Sequence, residues 1–395
     1  MNPAVCSRSL REQGLGWPKV LVERSCLRTN AERIAAIASG ERLRLVVKSL
    51  PCPGLIDTLM AATGSNKLMV FHLPFLIQVA ERWPDADVML GKPLPSAAVR
   101  AYFRSAGGHG RKRRAGGLHW LVDTPQRVVD YQRVAMDFDA PMNLVVELDI
   151  GMHRGGAHDK AALSAILEAV AATEGYLRVT GFMGYDAHAG KSVPWISRRR
   201  AVDRANRHYQ KLLDAARASY PELIPEDVIV NGSGSLTCVF HDTDSPLNEL
   251  AIGSAFLKPA EFDLPQLADI RPACWLAAPV LKRLSGVCLP FLESMPCWSR
   301  RDTVFIYGGR WPARPVWPNG LRDSALYGPS FNQQFYTLPC SSPVKVDDFV
   351  FFRPLQSESV MLALGDVVLL DDDEIRDIWP VFSQQFPGCT FEEVR

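Results

Sequence analysis

Asn143-Leu-Val-Val-Glu-Leu-Asp149, Asp159-Lys-Ala-Ala-Leu-Ser-Ala-Ile-Leu-Glu-Ala-Val-Ala-Ala-Thr173 and Leu177-Arg-Val-Thr-Gly-Phe-Met183 follow one another as a single phrase of the chain. Two short β-rich runs flank an amphipathic stretch of helical length. That pattern is a βαβ unit, whose two strands lie parallel in one sheet. The phrase repeats outward between Arg42 and about Leu264, with apolar runs at Leu43–Lys48, Leu68–Phe71, Asp87–Leu90, Leu118–Val122, Val228–Asn231 and Leu250–Gly253 and a second clear helical segment at Arg198–Ser219. Eight runs are what closes a (β/α)8 TIM-type barrel. An open doubly wound sheet is the alternative that the same spacing allows.

Beyond Leu264, Pro, Trp and Gly become frequent, and the runs Thr303–Tyr307, Phe349–Phe352 and Val367–Leu370 are short and bounded by turn residues. This is the pattern of an all-β module. The reading is therefore an α/β chain: a barrel over residues 41–265, a C-terminal all-β domain over 266–395, and an N-terminal segment, 1–40, packing with the β domain. A helix is expected at Asn30–Ser39, leading into the first barrel strand.

Composition narrows the partners. The 395 residues include 44 Lys+Arg against 43 Asp+Glu, for a net charge of +1, and 47% are hydrophobic. Such a chain buries a core without staples and is not disordered. Near-neutrality argues against partners chosen by bulk charge, so neither nucleic acid nor a membrane surface is expected. The basic clusters Arg111–Arg114 and Arg198–Arg200 read as solvated loop or helix-start charges, with no aromatic residues interleaved. No apolar stretch reaches the ~20 residues of a membrane span, and the first residues lack the apolar run of a signal peptide. The nine cysteines are scattered without a CxxC pair, which indicates neither a zinc ribbon nor a disulfide framework. A cytoplasmic, reducing setting is the expectation.

Barrel chemistry sits at the C-terminal strand ends. In order, those ends carry Lys48, His72, Gly91-Lys92, Asp123-Thr124, Asp149 leading to Arg154, Tyr185-Asp-Ala-His188, Asn231-Gly-Ser-Gly-Ser235 and Gly253-Ser254. Lys48 closes an apolar strand, where partial desolvation lowers an amine's pKa and makes it a nucleophile or Schiff-base former. The Gly-Ser turn offers backbone N–H groups and hydroxyls after strand seven, the usual phosphate cradle of such barrels. Taken singly, Lys48 also reads as an ordinary strand-end lysine and the Gly-Ser tract as a plain turn. Taken together, an amine and a phosphate cradle ask for a cofactor with an aldehyde and a phosphate, and pyridoxal 5'-phosphate (PLP) answers that description.

Four segments carry a resemblance: Lys48, Glu147-Leu-Asp-Ile-Gly-Met-His-Arg154-Gly-Gly, Gly181-Phe-Met-Gly-Tyr185-Asp-Ala-His188-Ala, and the glycine-rich turn with Glu249-Leu-Ala-Ile-Gly253. With them the chain resembles the alanine racemase-type PLP enzymes, and within these the branch of D-threonine aldolase and D-serine dehydratase. The resemblance implies that Lys48 holds PLP as a Schiff base and later acts as a base. It also implies that Arg154 lies near the cofactor's phenolic oxygen, that Tyr185 lies against its ring with His188 close by, and that Ser233, Gly234, Ser235, Gly253 and Ser254 bind its phosphate. A homodimer and an amino-acid substrate follow from the same source.

Departures from that pattern are equally specific. Alanine racemases carry an arginine two residues before the eighth-strand glycine; here that residue is Ala251. The aldolase and dehydratase branch holds a divalent metal through a Pro-x-His-x-Cys/Asp pattern, where this chain has Pro354-Leu-Gln356-Ser-Glu358. Upstream, Ser330-Phe-Asn332-Gln333-Gln334 replaces the branch's acidic residues and His. All eight histidines lie at or before His241, so an imidazole-bound metal is not expected in the C-terminal domain; Gln and Glu oxygens leave room for Mg²⁺, Ca²⁺ or Mn²⁺, which is not favoured. The expectation is a PLP-dependent lyase that cleaves a D-configured β-hydroxy amino acid by an aldol-type reaction. Lys48, Arg154, His188, Gln356 and Glu358 are its catalytic candidates. The alternatives are a racemase, with Tyr327 or Tyr307 as the opposing base, a dehydratase, or a non-catalytic PLP-binding protein.

Overall fold

The computed structural model describes residues 1–105, 117–191, 193, 195–242, 244–286, 301–324 and 328–385. Arg111–Arg114, Tyr327, Cys288, Cys297 and Cys389 lie outside the described residues. After α1 (Pro3–Glu12), β1 (Lys19–Glu23) and α2 (Arg24–Ile37) come eight short strands: β2 (Leu43–Val46), β3 (Lys67–Val70), β4 (Asp87–Leu90), β5 (Leu118–Val122), β6 (Met142–Leu148), β7 (Leu177–Gly184), β8 (Ile229–Gly232) and β9 (Glu249–Ile252). Each pairs in parallel with the next, and β2 pairs with β9, closing the barrel. The closed sheet removes the open-sheet alternative. Between the strands run α3 (Pro53–Thr63), α4 (Leu73–Arg82), α5 (Ser96–Ser105), α6 (Pro125–Asp137), α7 (Lys160–Ala171), and α8 (Ala187–Gly190) followed by α9 (Arg198–Ser219).

Local chemistry starts these helices where the sequence turns. Thr124 accepts the Arg127 N–H with Pro125 beside it, Asp159 accepts the Ala162 N–H, and Ser197 accepts the Arg200 N–H. Each cap satisfies a backbone donor that the first turn leaves unpaired. Leu163, Ile166, Leu167 and Val170 of α7, and Val202, Ala205, Tyr209, Leu212, Leu213 and Ala216 of α9, recur at helical spacing and are buried. The Arg198–Arg200 cluster forms the first turn of α9, and Arg199 pairs with Asp203 and Asp242.

The barrel interior is unusual in holding a polar layer low in the strands. Arg44 is fully buried and grips Glu249 with two parallel bonds of 2.8 and 3.0 Å. Its third nitrogen reaches Asp87 at 2.8 Å and the carbonyls of Leu68 and Asp87. Lys67 binds Glu249 at 2.9 Å, the Asn231 amide reaches it at 3.3 Å, and His119 lies between Asp87 and the Thr180 hydroxyl. The network thus ties strands β2, β3, β4, β5, β7, β8 and β9 across the lumen. Burial opposes ionisation of Asp87, but the His119 hydrogen bond and the Arg44 charge outweigh it and hold the carboxyl below the usual range. Glu249 is lowered in the same sense: burial opposes, and Arg44 and then Lys67 prevail.

The second compact unit comprises Met1–Arg33, Leu50–Leu55 and Ser254–Val381. It contains a nine-stranded sheet built from β1, β10 (Cys274–Leu284), β11 (Arg301–Tyr307), β12 (Ala313–Trp317), β13 (Arg322–Asp323), β14 (Gln333–Pro339), β15 (Phe349–Pro354), β16 (Asp366–Asp371) and β17 (Glu374–Pro380), with α10 (Ser357–Leu364) leading into β16. The N-terminal strand β1 lies between β10, to which it is antiparallel, and β16, to which it is parallel. Leu276, Val304, Ile306, Tyr336 and Phe352 pack one core, and Leu21, Phe349, Phe351 and Val368 another. Among the described residues no helix is long and apolar enough to cross a membrane.

Replacing Arg44 by Met leaves Glu249 with Lys67 as its one remaining cation and takes the guanidinium from Asp87, and breaking such a buried pair costs about 3–5 kcal/mol; urea unfolding of Arg44→Met measures it. Both carboxyls titrate lower in the fold than in the unfolded chain. Their stabilisation is therefore present above the ordinary carboxylate pKa and lost as pH falls through the folded values, so unfolding midpoints should drop steeply below about pH 4 in the wild type.

Candidate active site at the barrel mouth

Lys48 sits in a 3-10 turn, Val47–Ser49, directly after β2. It is half-buried, and its ammonium lies 4.3 Å from the centre of the Phe71 ring at the end of β3. Gly91, after β4, makes that ring position available: a Cβ there would stand 2.2 Å from Phe71 Cζ. His72 follows Phe71, and its imidazole is held below its ordinary pKa by burial and then by the charges of Lys92 and Lys48. The Phe71 face thus meets the Lys48 ammonium in a cation–π contact.

A second part of the rim grows from β6. Asp149 accepts the N–H groups of Gly151 and His153 at 3.0 and 2.9 Å, and its other oxygen meets His153 Nδ1 at 3.0 Å. These bonds outweigh burial and lower the Asp149 carboxyl. The loop then turns back at Gly156, where φ is +91° and a Cβ would stand 2.7 Å from the Glu147 carbonyl oxygen. Arg154 is thereby presented at the surface with its guanidinium 5.1 Å from the Tyr185 ring centre. His188 backs onto the same loop, its Nε2 occupying the space of a Gly151 Cβ at 2.9 Å, and burial holds it below its ordinary pKa. Burial pushes Glu147 up, and Arg154 opposes that rise.

The third part is the Ser233-Gly234-Ser235 turn after β8. Ser233 has φ +68° and is 2% exposed. A Cβ on Gly234 would meet Tyr185 Cε2 at 2.9 Å, so the glycine lets the ring lie against the turn. Ser235 Oγ accepts the Gly253 N–H at 3.3 Å, and a Cβ on Gly253 would lie 2.9 Å from both Val46 and Ser49. Contacts therefore run without a break from Arg154 through Tyr185, Gly234, Ser235 and Gly253 to Ser49, the neighbour of Lys48. Six of the residues singled out from sequence share one rim, and Ser233 and His188 pack directly behind it.

The other predicted residues belong to the β unit. Ser254 opens a 3-10 turn, Ser254–Phe256, and its carbonyl accepts the Leu257 and Lys258 N–H groups. Gln356 is exposed at the start of α10 and donates to Glu261 at 3.4 Å, while Glu358 is half-buried in the first turn of that helix. Gln333 accepts from Lys282 at 3.3 Å, and Tyr307 is exposed on β11. Among the described residues no group of three His, Cys, Asp or Glu is placed to hold a metal ion. Sequence reasoning missed Phe71 and Glu147 as members of the rim. The glycine at position 91 and the inward parity of Glu147 on β6 are the signals that mark them.

The family model for the alanine racemase N-terminal domain matches residues 22–259. In structure the chain is similar to a D-threonine aldolase from Filomicrobium marinum, with 18% identity, a TM-score of 0.74, and 93% of this chain and 97% of that one covered. It is similar also to a D-threo-3-hydroxyaspartate dehydratase from Delftia sp. HT23 (15% identity, TM-score 0.72, 93% and 98% covered). An alanine racemase from Bacillus anthracis aligns at 13% identity with a TM-score of 0.71, covering 92% of this chain and 98% of that one. At these identities the likeness is one of fold. Among curated proteins, none matches the chain.

Removing the guanidinium should raise the Glu147 carboxyl further, since Arg154 is what restrains it. Carboxyl-carbon NMR titration of Arg154→Ala against wild type checks this; an unmoved or lowered Glu147 titration contradicts the arrangement.

Proposed function

Because the chain belongs to the alanine racemase N-terminal domain family, we propose that it is a PLP-dependent lyase that cleaves the Cα–Cβ bond of a β-hydroxy amino acid of D configuration. The observation that carries the reading is the unbroken run of contacts joining the Lys48 turn to the Ser233–Ser235 turn through Gly253. The donor set suits PLP: one amine for its aldehyde, a guanidinium for its phenolic oxygen, an aromatic residue beside its ring, and a glycine-serine turn with a positive φ for its phosphate. Two consecutive residues that bring backbone N–H groups together around such a φ form an anion-binding concavity.

When bound, PLP supplies an aldehyde that condenses with amines and a ring that accepts the electron pair of a bond breaking at Cα. The chain's own groups do the rest. Lys48 Nζ would hold the aldehyde carbon and, once displaced by the substrate amine, would carry a proton at Nζ. Phe71 would flank that nitrogen with its ring face. Arg154 would pair with the phenolic oxygen and, stacked over Tyr185, keep the guanidinium oriented. Ser235 and the turn's N–H groups would hold the phosphate. In the cleavage the β-hydroxyl would give its proton to the freed Lys48 Nζ, the β-carbon would leave as an aldehyde, and the Cα–Cβ pair would stay with Cα and take up the proton that Nζ carries.

The lyase reading is supported by the D-threonine aldolase among the similar structures and by Ala251 on β9. That methyl offers no charge where alanine racemases carry a guanidinium. Incubation with D- and L-β-hydroxy amino acids, following aldehyde, ammonia and optical rotation separately, distinguishes cleavage from dehydration and racemisation. We expect aldehyde from the D-substrate. Lys48→Ala should abolish both the visible absorbance of the loaded protein and aldehyde release, by at least about a thousandfold in rate. Borohydride reduction should fix the label on the Lys48 peptide, and a label elsewhere would overturn the assignment.

A further inference from the structure

Behind the Ser233–Ser235 turn lies a buried polar chain that the catalytic reading does not use. Asp186, the residue after Tyr185, and His241 have side chains about 1% exposed, with Nε2 2.8 Å from Asp186 Oδ2. Thr237 Oγ1 lies 2.7 Å from the other carboxylate oxygen, and Ser245 Oγ lies 3.0 Å from His241 Nδ1. A carboxylate only accepts, so both Nε2–H and the Thr237 hydroxyl donate to it. Having given its proton to Asp186, Thr237 Oγ1 is left as an acceptor beside Ser233 Oγ, 3.5 Å away, whose one proton it shares with the Gly234 carbonyl at 3.4 Å. The Thr237 N–H meanwhile donates to the Gly234 carbonyl at 3.1 Å. Thr237 thus holds the turn twice, by its backbone and through its hydroxyl. Burial first, and then the Asp186 charge, push the neighbouring Cys238 thiol up to about 12, as expected of a dry pocket. In such surroundings, an acceptor left without its donor is costly.

The geometry points to Asp186, clamped by His241, as a positioning residue that fixes the Ser233–Gly234 turn through Thr237. This inference deepens the proposed function and rests on that reading, because the turn's task is taken to be holding a phosphate monoester. Asp186 is covalently next to Tyr185, whose ring lies on Gly234, so a single carboxylate sets both the aromatic wall and the turn it packs against. With Thr237 anchored, Ser233 is kept at φ +68° and the N–H groups of the turn keep one direction.

The test compares binding of PLP with binding of pyridoxal, which has the aldehyde and ring but no phosphate, each followed by absorbance titration. Thr237→Val keeps the shape and removes the proton given to Asp186. We expect it to raise the dissociation constant for PLP about tenfold, to leave that for pyridoxal unchanged, and so to raise the ratio of the PLP constant to the pyridoxal constant about tenfold. Thr237→Ser should restore the ratio. If both constants move together, or neither moves, Thr237 and Asp186 merely support the fold and the inference is overturned, while the functional reading stands. If Thr237→Val does not fold, His241→Asn is read by the same ratio, with the same two outcomes. A wild-type chain that binds neither compound ends the functional reading, and this inference with it.

Discussion

A single cation holds the barrel together. Strands of four residues contribute few hydrogen bonds each, and β2, β3, β4, β8 and β9 are all that short. Arg44 compensates by reaching to carboxylates and carbonyls on three other strands, with all three nitrogens of its fork engaged. The planar guanidinium matches two carboxylates at once, a geometry that lysine cannot reproduce. Because a one-residue slip would turn Arg44 or Glu249 out of the lumen, the pair also fixes register. Everything placed at the strand ends, Lys48 above all, inherits its position from that register.

Glycines set the spacing at the rim. Gly91 admits the Phe71 ring, Gly234 admits Tyr185, and Gly253 admits the β2 end. Each marks a point where a side chain from one strand passes over the backbone of another. The rim is consequently narrow and strongly determined, and its polar groups are held by loop geometry rather than by long flexible side chains.

The architecture was legible because every barrel strand is an uninterrupted β-rich run between turn residues. The family's segments at Lys48, Arg154, Tyr185 and the glycine-serine turn could be read for the same reason: each is local. What escaped the reading is non-local. Asp186 and His241 are separated by a long stretch containing all of α9, and no spacing rule joins them. Arg44 stands inside an apolar run, where alternation alone fits a solvated edge as well as a lumen. Strand β1 also escaped, since its partners come from segments near the other end of the chain and only their pairing makes it a strand. The α2 helix begins at Arg24, before the expected Asn30, because that strand hands directly into it.

The position of β1 has a consequence for synthesis. It leaves the ribosome before the barrel does, yet the strands that flank it, β10 and β16, emerge only after all eight barrel strands. Until then its two edges are unsatisfied and open to pairing with another nascent chain. The sheet is therefore the last part to assemble, and the hazard of misassembly is concentrated in a five-residue segment that must wait for most of the protein to be made.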